Sequence, residues 1–357
     1  MLKRKPLLLL SFILIALTLS GCIKPSDKVA RPKLLKTENA AQADLVNEVN
    51  RFARINSMRA KMYLKFEDNS FAESGIAEKY KSADGDVVVQ RPAKILMKVQ
   101  VPVIKSDIAQ MTSDGTKFRV AILQDGGSGK YKKFVLGTNA ADYSLLQEKV
   151  KNSEIEDGQV IKQNVNAFSN LRPQHFTDAM LVRPIDAEKY LYLMSTITQE
   201  EVDFDLIKKK SPLGWVLRGY YLLDEFQKEA DGSLRITRRF WFDRVGGTRL
   251  ARQQIFDAKG EIESDIVYGQ PGNLGESGEY NNLPLEIFVT RPKEKYKMRL
   301  TYQSPESVAI GKTYPDGAFV LENTWGLEEV DLDKKLQEAK AQKMQSDNSN
   351  TATRPPQ

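Results

Sequence analysis

Hydrophobic and polar positions change period along this chain, and the change marks its elements. From Ala43 to Ser57, Leu45, Val46, Val49, Phe52, Ala53 and Ile55 recur at helical spacing with charged residues opposite, which predicts an amphipathic helix. From Met58 the period drops to two. Met62, Leu64 and Phe66 alternate with Lys61, Tyr63 and Lys65, as a strand with one wetter face requires. The alternation recurs almost to the end and predicts strands at 59–67, 75–81, 86–90, 94–101, 106–112, 117–123, 132–136, 190–197, 214–226, 234–243, 248–256, 261–268, 284–290 and 296–303.

The punctuation between these runs is that of hairpins. Asp-Gly pairs stand at 84–85, 114–115, 125–126, 231–232 and 316–317, and Lys259-Gly260 separates two further runs, so antiparallel neighbours are expected. One interior stretch, about 141–182, breaks the pattern with helix-like segments (LLQEKV, PQHFTDAML). It lacks the Pro, Gly and Ser of a linker, and helices inserted in one large sheet are the preferred reading. The predicted class is mainly β: a large curved antiparallel sheet, an unclosed half-barrel, with a few helices over its concave side.

Several strands are apolar in both registers, among them Tyr190–Met194, Trp215–Leu223 and Phe240–Phe242. Such strands need cover on both faces. Helices at 43–57 and 141–182 could close a hollow that houses a lipid-like ligand, or the same residues could form a solid core. The pattern leaves both open.

The ends of the chain add a location. Lys3, Arg4 and Lys5 precede an apolar run from Leu7 to Leu19 and a Leu19-Ser20-Gly21-Cys22 junction, the layout of a lipoprotein leader. The run is shorter than the roughly 20 residues of a spanning helix. Residues 1–21 are therefore expected to be removed and Cys22, the sole cysteine, to carry acyl chains that hold the protein on a membrane. Residues 22–43 read as a flexible tether reaching at most ~70 Å at ~3.3 Å per residue, 44–328 as the β domain, and 329–357 as a charged, largely disordered tail. Ile23, in place of an aspartate, favours the outer membrane facing the periplasm.

Charge and composition mainly exclude. Losing Lys3, Arg4 and Lys5 lowers the formal charge from +6 to +3, which gives nucleic-acid binding no support. With Cys22 lipidated and His175 the only histidine, Cys/His metal sites and His-based relays have no material unless His175 serves, and it reads as a surface or helix-terminus residue. Gln124–Tyr131 lacks the first glycine and the Ser/Thr of a phosphate loop. Arg235, Arg238, Arg239 and Arg244 beside Phe240 and Trp241 read as a solvated face, and the pairs Asp203/Asp205 and Glu261/Glu263 as solvent-facing charges. No enzyme activity, metal or cofactor is expected.

Arg91-Pro92-Ala93-Lys94-Ile95-Leu96-Met97, then Pro102, then Ile108–Val120 (IAQMTSDGTKFRV), then Lys133-Phe134-Val135-Leu136-Gly137, resembles the outer-membrane lipoprotein-sorting superfamily, the LolA/LolB-like proteins. The order matches: helix, strand pair, Arg-Pro opening the next strand, a Ser-Asp-Gly hairpin, then a Lys-Phe strand ending in glycine. The resemblance covers about 59–137. It implies an unclosed barrel plugged by helices, with a cavity for acyl chains. Cys22 tilts it towards the lipid-anchored receptor branch, although this chain is longer than such a receptor and shows no matching protruding apolar loop. An acyl chain bound in that way would lie against residues such as Ile95, Met97, Val99, Val101, Phe118, Val120, Leu217 and Phe240. The partners implied are the membrane through Cys22, an amphiphile and a periplasmic carrier protein, with no nucleic acid. The alternative is a structural or interaction lipoprotein without a cavity.

Overall fold

The computed structural model describes residues 32–68, 81–102, 104–124, 132–143, 145–146, 173–203, 207–209, 214–276 and 280–352. Cys22 and the leader, residues 75–80 of the strand expected at 75–81, the Asp125-Gly126 turn and most of 141–172 lie outside these residues. The chain divides into two compact units. One comprises residues up to Thr37 together with Thr198–Gly219; the other comprises Glu38–Ile197 and Tyr220–Gln357.

In chain order the strands are β1 (Lys33–Leu34), β2 (Ser57–Asp68), β3 (Lys81–Gln90), β4 (Lys94–Gln100), β5 (Asp107–Ser113), β6 (Lys117–Ile122), β7 (Lys133–Thr138), β8 (Leu191–Val202) and β9 (Trp215–Lys228). They continue as β10 (Leu234–Asp243), β11 (Arg249–Phe256), β12 (Ile262–Tyr268), β13 (Pro271–Leu274), β14 (Tyr280–Pro284), β15 (Glu286–Arg291), β16 (Tyr296–Tyr302), β17 (Ala309–Ile310) and β18 (Glu328–Asp331). Helices α1 (Gln42–Ala53), α2 (Pro173–Met180) and α3 (Leu332–Ala352) accompany them.

In the larger unit the sheet runs β9-β10-β11-β12-β15-β16-β2-β3-β4-β5-β6-β7-β18. Neighbours are antiparallel except β18, which pairs in parallel with β7, and the sheet does not close into a barrel. Two meanders thus join where β16 meets β2, Leu300 opposite Leu64. The fold is the mainly β, unclosed sheet expected from the periodicity. Its inner face carries Leu64, Val87, Met97, Val120, Phe240, Ile266, Val289 and Met298, all buried in one cluster with Leu45, Val49 and Phe52 of α1 and Phe176 and Ala179 of α2.

Local chemistry explains the turns. Asp114 accepts the amides of Thr116 (2.9 Å) and Lys117 (2.8 Å) while Gly115 takes φ +99°, which fixes the β5–β6 hairpin. Asp231 with Gly232 and Asp257 with Gly260 do the same for β9–β10 and β11–β12.

Three expectations are corrected, and a stretch that the alternation leaves without an element gains two strands. Asp84-Gly85 is no turn but the middle of β3: Gly85 lies opposite Met62, and a Cβ there would stand 2.8 Å from Leu64 Cδ1. Asp316-Gly317 opens a short 3-10 helix, Asp316–Phe319, instead of a hairpin. The glycine-rich stretch after Tyr268 forms the two-stranded ribbon of β13 and β14. The tether ends earlier than residue 43, because Lys33 and Leu34 pair with Val216 and Leu217 in the smaller unit. In the larger unit, the Glu38 amide donates to Arg244 O (2.8 Å) and the Ala40 amide to the Tyr221 hydroxyl (3.2 Å). Edge pairing uses backbone groups and leaves no apolar period to read.

The tail is also part of the fold. β18 and α3 follow the expected boundary at 328, and Leu332, Leu336 and Ala339, at helical spacing, enter the core. Asp333 anchors α3, accepting from Thr138 Oγ1 at 2.7 Å and from the Tyr143 hydroxyl.

Candidate functional site

The inner face and its helical cover form the candidate site. Ile95 and Met97 on β4, Phe118 and Val120 on β6, and Phe240 on β10 are brought into the one buried cluster, with Val99 packed against it. Val101, just after β4, is half-buried and outside that cluster, and Leu217 belongs to the smaller unit, where its carbonyl accepts from the Leu35 amide (2.9 Å). Phe118 sits opposite Gly137, where a Cβ would lie 2.8 Å from its ring, so the glycine that ends the Lys-Phe motif makes room for Phe118 and Tyr143. Ile95, Met97, Phe118 and Phe240 are each 0% exposed, so the wall that they form is closed to water.

One arginine fastens that cover. Arg91, in the turn between β3 and β4 where the Arg-Pro motif leads into β4, donates from Nε to Ile55 O (3.0 Å) and from Nη2 to Ala53 O (3.1 Å) and Val182 O (2.7 Å). It therefore caps the C-terminus of α1, where the last carbonyls lack intrahelical partners, and holds the segment leaving α2. Burial lowers its pKa.

Polar groups occur on the inner face where the sequence shows only charged strand residues. Arg238 lies opposite Glu225 and pairs with it through Nε (2.8 Å) and Nη2. The Arg238 guanidinium also donates to Arg183 O (2.9 Å) and Pro184 O (3.1 Å), just beyond α2. Arg238 is thus buried, not solvated. His175, expected at the surface, is buried on α2 with Nδ1 against the Tyr296 hydroxyl. On the same helix, burial pushes the Asp178 carboxyl above its usual range, and Glu263 adds to the rise against the pull of Arg183 and Arg291. The solvated acidic pair resolves in part: Glu261 and Glu263 engage Lys293 (2.7 Å) and Arg291 (3.2 Å), whereas Asp205 is outside the described residues.

Of the buried polar groups Arg238, Glu225 and His175, the sequence singles out Arg238 and His175, reading the first as solvated and the second as a surface or helix-terminus residue. The one available signal was alternation, which puts Arg238 on the face of Phe240 and Glu225 on that of Leu223. On the opposite face an open groove of about 390 Å³ is lined by Lys65, Glu67, Phe288, Thr290, Lys297 and Arg299.

No family model matches the chain, and no curated protein matches it. Solved structures do. A DUF1329 family protein from Desulfovibrio piger has 11% identity and a TM-score of 0.38, covering 78% of this chain and 95% of its own. A LolA superfamily protein from Nitrosomonas europaea has 12% identity and a TM-score of 0.38, covering 79% and 99%. An outer membrane lipoprotein-sorting protein domain from Vibrio parahaemolyticus has 8% identity and a TM-score of 0.38, covering 77% and 94%. The structures this chain is similar to thus include the group that its motifs resemble, at overlaps that carry over neither ligand nor partner.

Proposed function

We propose that this chain is a lipid-anchored protein of the cell envelope, held through Cys22 at the outer membrane, that shelters acyl chains of a lipid or lipoprotein between its inner sheet face and its helical cover. Its role is binding and transfer, not catalysis. The observation that carries this reading is the clip at Arg91: one side chain ties the ends of two covering segments to the sheet through three carbonyls. Releasing it would bare the apolar wall at Ile95, Met97, Phe118 and Val120. At ~25 cal/mol per Å2, an acyl chain burying ~300 Å2 there gains roughly 7 kcal/mol, enough for exchange between sheltered sites. The test is mass spectrometry of lipid extracted from the purified chain, with loading by a fluorescent fatty acid as a second measure. A protein that carries and takes up no lipid overturns the reading. Labelling with radioactive palmitate, lost on Cys22→Ala, tests the anchor.

A second reading, an interaction lipoprotein with a solid core, is favoured by the burial of Ile95, Met97, Phe118 and Phe240 and by β8. Leu191 (53% exposed), Leu193 (60%) and Ile197 (38%) alternate along that strand and offer an apolar edge to another envelope protein. A photo-crosslinker placed at Leu193 reports such a partner.

A further inference from the structure

Buried polar side-chain atoms are almost always paired, and an unpaired one asks for an explanation. On β11 and β12, three occur on one patch of the inner face. Gln253 Oε1, Ser264 Oγ and the Tyr268 hydroxyl have no hydrogen-bond partner among the described residues, although the residues are only 2%, 2% and 3% exposed. Their placement is set by the ladder. Gln253 lies directly opposite Ile266, while Ser264 and Tyr268 flank Ile266 at two residues on either side, so all three point to the inner face. Gln253 is within roughly 8 Å of each of the other two by strand geometry.

A solid core gains nothing from this arrangement, since alanine, leucine and phenylalanine would fill the same places without stranded oxygens. The set also has a definite chemistry. One amide oxygen accepts, and two hydroxyls either donate or accept. Their complement is a neutral group with both a donor and an acceptor. An anionic group is disfavoured, because the nearby cations are already engaged, Arg238 by Glu225 and Arg291 by Glu263 and Glu294, while the Asp178 carboxyl acts on Tyr268. Burial raises the pKa of Tyr268, which keeps its hydroxyl protonated and able to donate. The patch lies under the cover, with the Phe52 ring of α1 centred 5.6 Å from that of Tyr268.

We propose that Gln253, Ser264 and Tyr268 form the polar subsite of the amphiphile pocket, and that they bind the neutral hydroxyl-bearing or amide linkage of the ligand while its hydrocarbon lies on the apolar wall. This rests on the amphiphile reading above. In the shut state the three groups are stranded, and the incoming linkage pairs them as the cover moves.

The experiment uses the full chain, purified in detergent, stripped of lipid and reloaded from an equimolar mixture of 1-monooleoylglycerol, oleamide, methyl oleate and octadecene, with bound lipid quantified by mass spectrometry. The wild type is expected to favour at least one of the two donor–acceptor lipids tenfold or more over methyl oleate, which only accepts. Gln253→Met/Ser264→Ala/Tyr268→Phe is expected to lose that preference while still loading lipid, with the empty variant melting no lower than the wild type. Should the triple variant fail to fold, Tyr268→Phe, which removes one oxygen, carries the comparison and is expected to cut the preference at least threefold. Equal loading of all four lipids by the wild type, or a preference that survives the substitutions, overturns the subsite while leaving the amphiphile reading in place. A wild type that loads none of the four overturns both. Preference for monooleoylglycerol over oleamide, or the reverse, separates a glycerol linkage from an amide.

Discussion

Glu225 on β9 and Arg238 on β10 face each other across the inner side of the sheet with Arg238 Nε 2.8 Å from the carboxylate, and both side chains are all but sealed from water at 1% and 2% exposed. The remaining valences are filled. Tyr192 donates to the carboxylate at 2.6 Å and Thr237 at 2.7 Å, while the guanidinium reaches two backbone carbonyls beyond α2. Burial drives the Glu225 carboxyl up, but Arg238 and the two hydroxyls outweigh it and hold it below the ordinary value.

Removing one partner leaves a buried charge alone. Arg238→Met is expected to cost about 3–5 kcal/mol in urea denaturation, whereas Arg238→Met combined with Glu225→Leu recovers most of it. Because the folded carboxyl is depressed, its contribution is present above pH 4.5 and is lost as pH falls through the folded value; the double variant should lack that loss.

Asp178 behaves oppositely. Its folded carboxyl holds a proton more tightly than the unfolded one, so stability falls as pH rises from 3.8 through the raised value, and the deficit is complete above it. Asp178→Asn should therefore melt higher than the wild type at pH 7 and match it near pH 3. A lower melting temperature at pH 7 contradicts the argument.

The Arg91 clip should control the cover. Arg91→Met removes three hydrogen bonds to carbonyls and is expected to cost about 1–3 kcal/mol. Hydrogen exchange should quicken at the end of α1 and over 173–182 before it does in β2–β4. Uptake of a fluorescent fatty acid should become faster.

α3 is expected to be integral to stability. Leu336 is 7% exposed, and Leu336→Asp should cost about 2–4 kcal/mol by placing a charge against β7. Met344, 69% exposed on the same helix, serves as the control, and Met344→Asp should change stability by less than about 0.5 kcal/mol.

Much of the sheet was legible because strands with one wet face declare themselves by alternation, as Met62, Leu64 and Phe66 do. α1 was legible for the same reason at helical spacing, although that spacing runs four residues past the observed end at Ala53. Its terminus is set by Arg91, distant in sequence, which takes the carbonyls of Ala53 and Ile55. Asp84-Gly85 misled because the pair is a turn signal by composition, whereas this glycine exists to pass under Leu64. The tail misled through its charge: Leu332, Leu336 and Ala339 were sparse among lysines and glutamates, yet three apolar positions on one stripe were enough to dock it. The stranded trio on β11 and β12 had no sequence signal, since Gln253 and Ser264 look like ordinary outward residues until the register is known.

The seam between β2 and β16 has a consequence for how the polypeptide matures. Leu64 meets Leu300 across 236 positions, and Met62 meets Tyr302, so the middle of the sheet has no second half until nearly the whole polypeptide is present. Closing so distant a pair is slow. A polypeptide threaded through a translocation channel from its amino end would stay loose and threadable until its last quarter had passed, and would lock only on the far side.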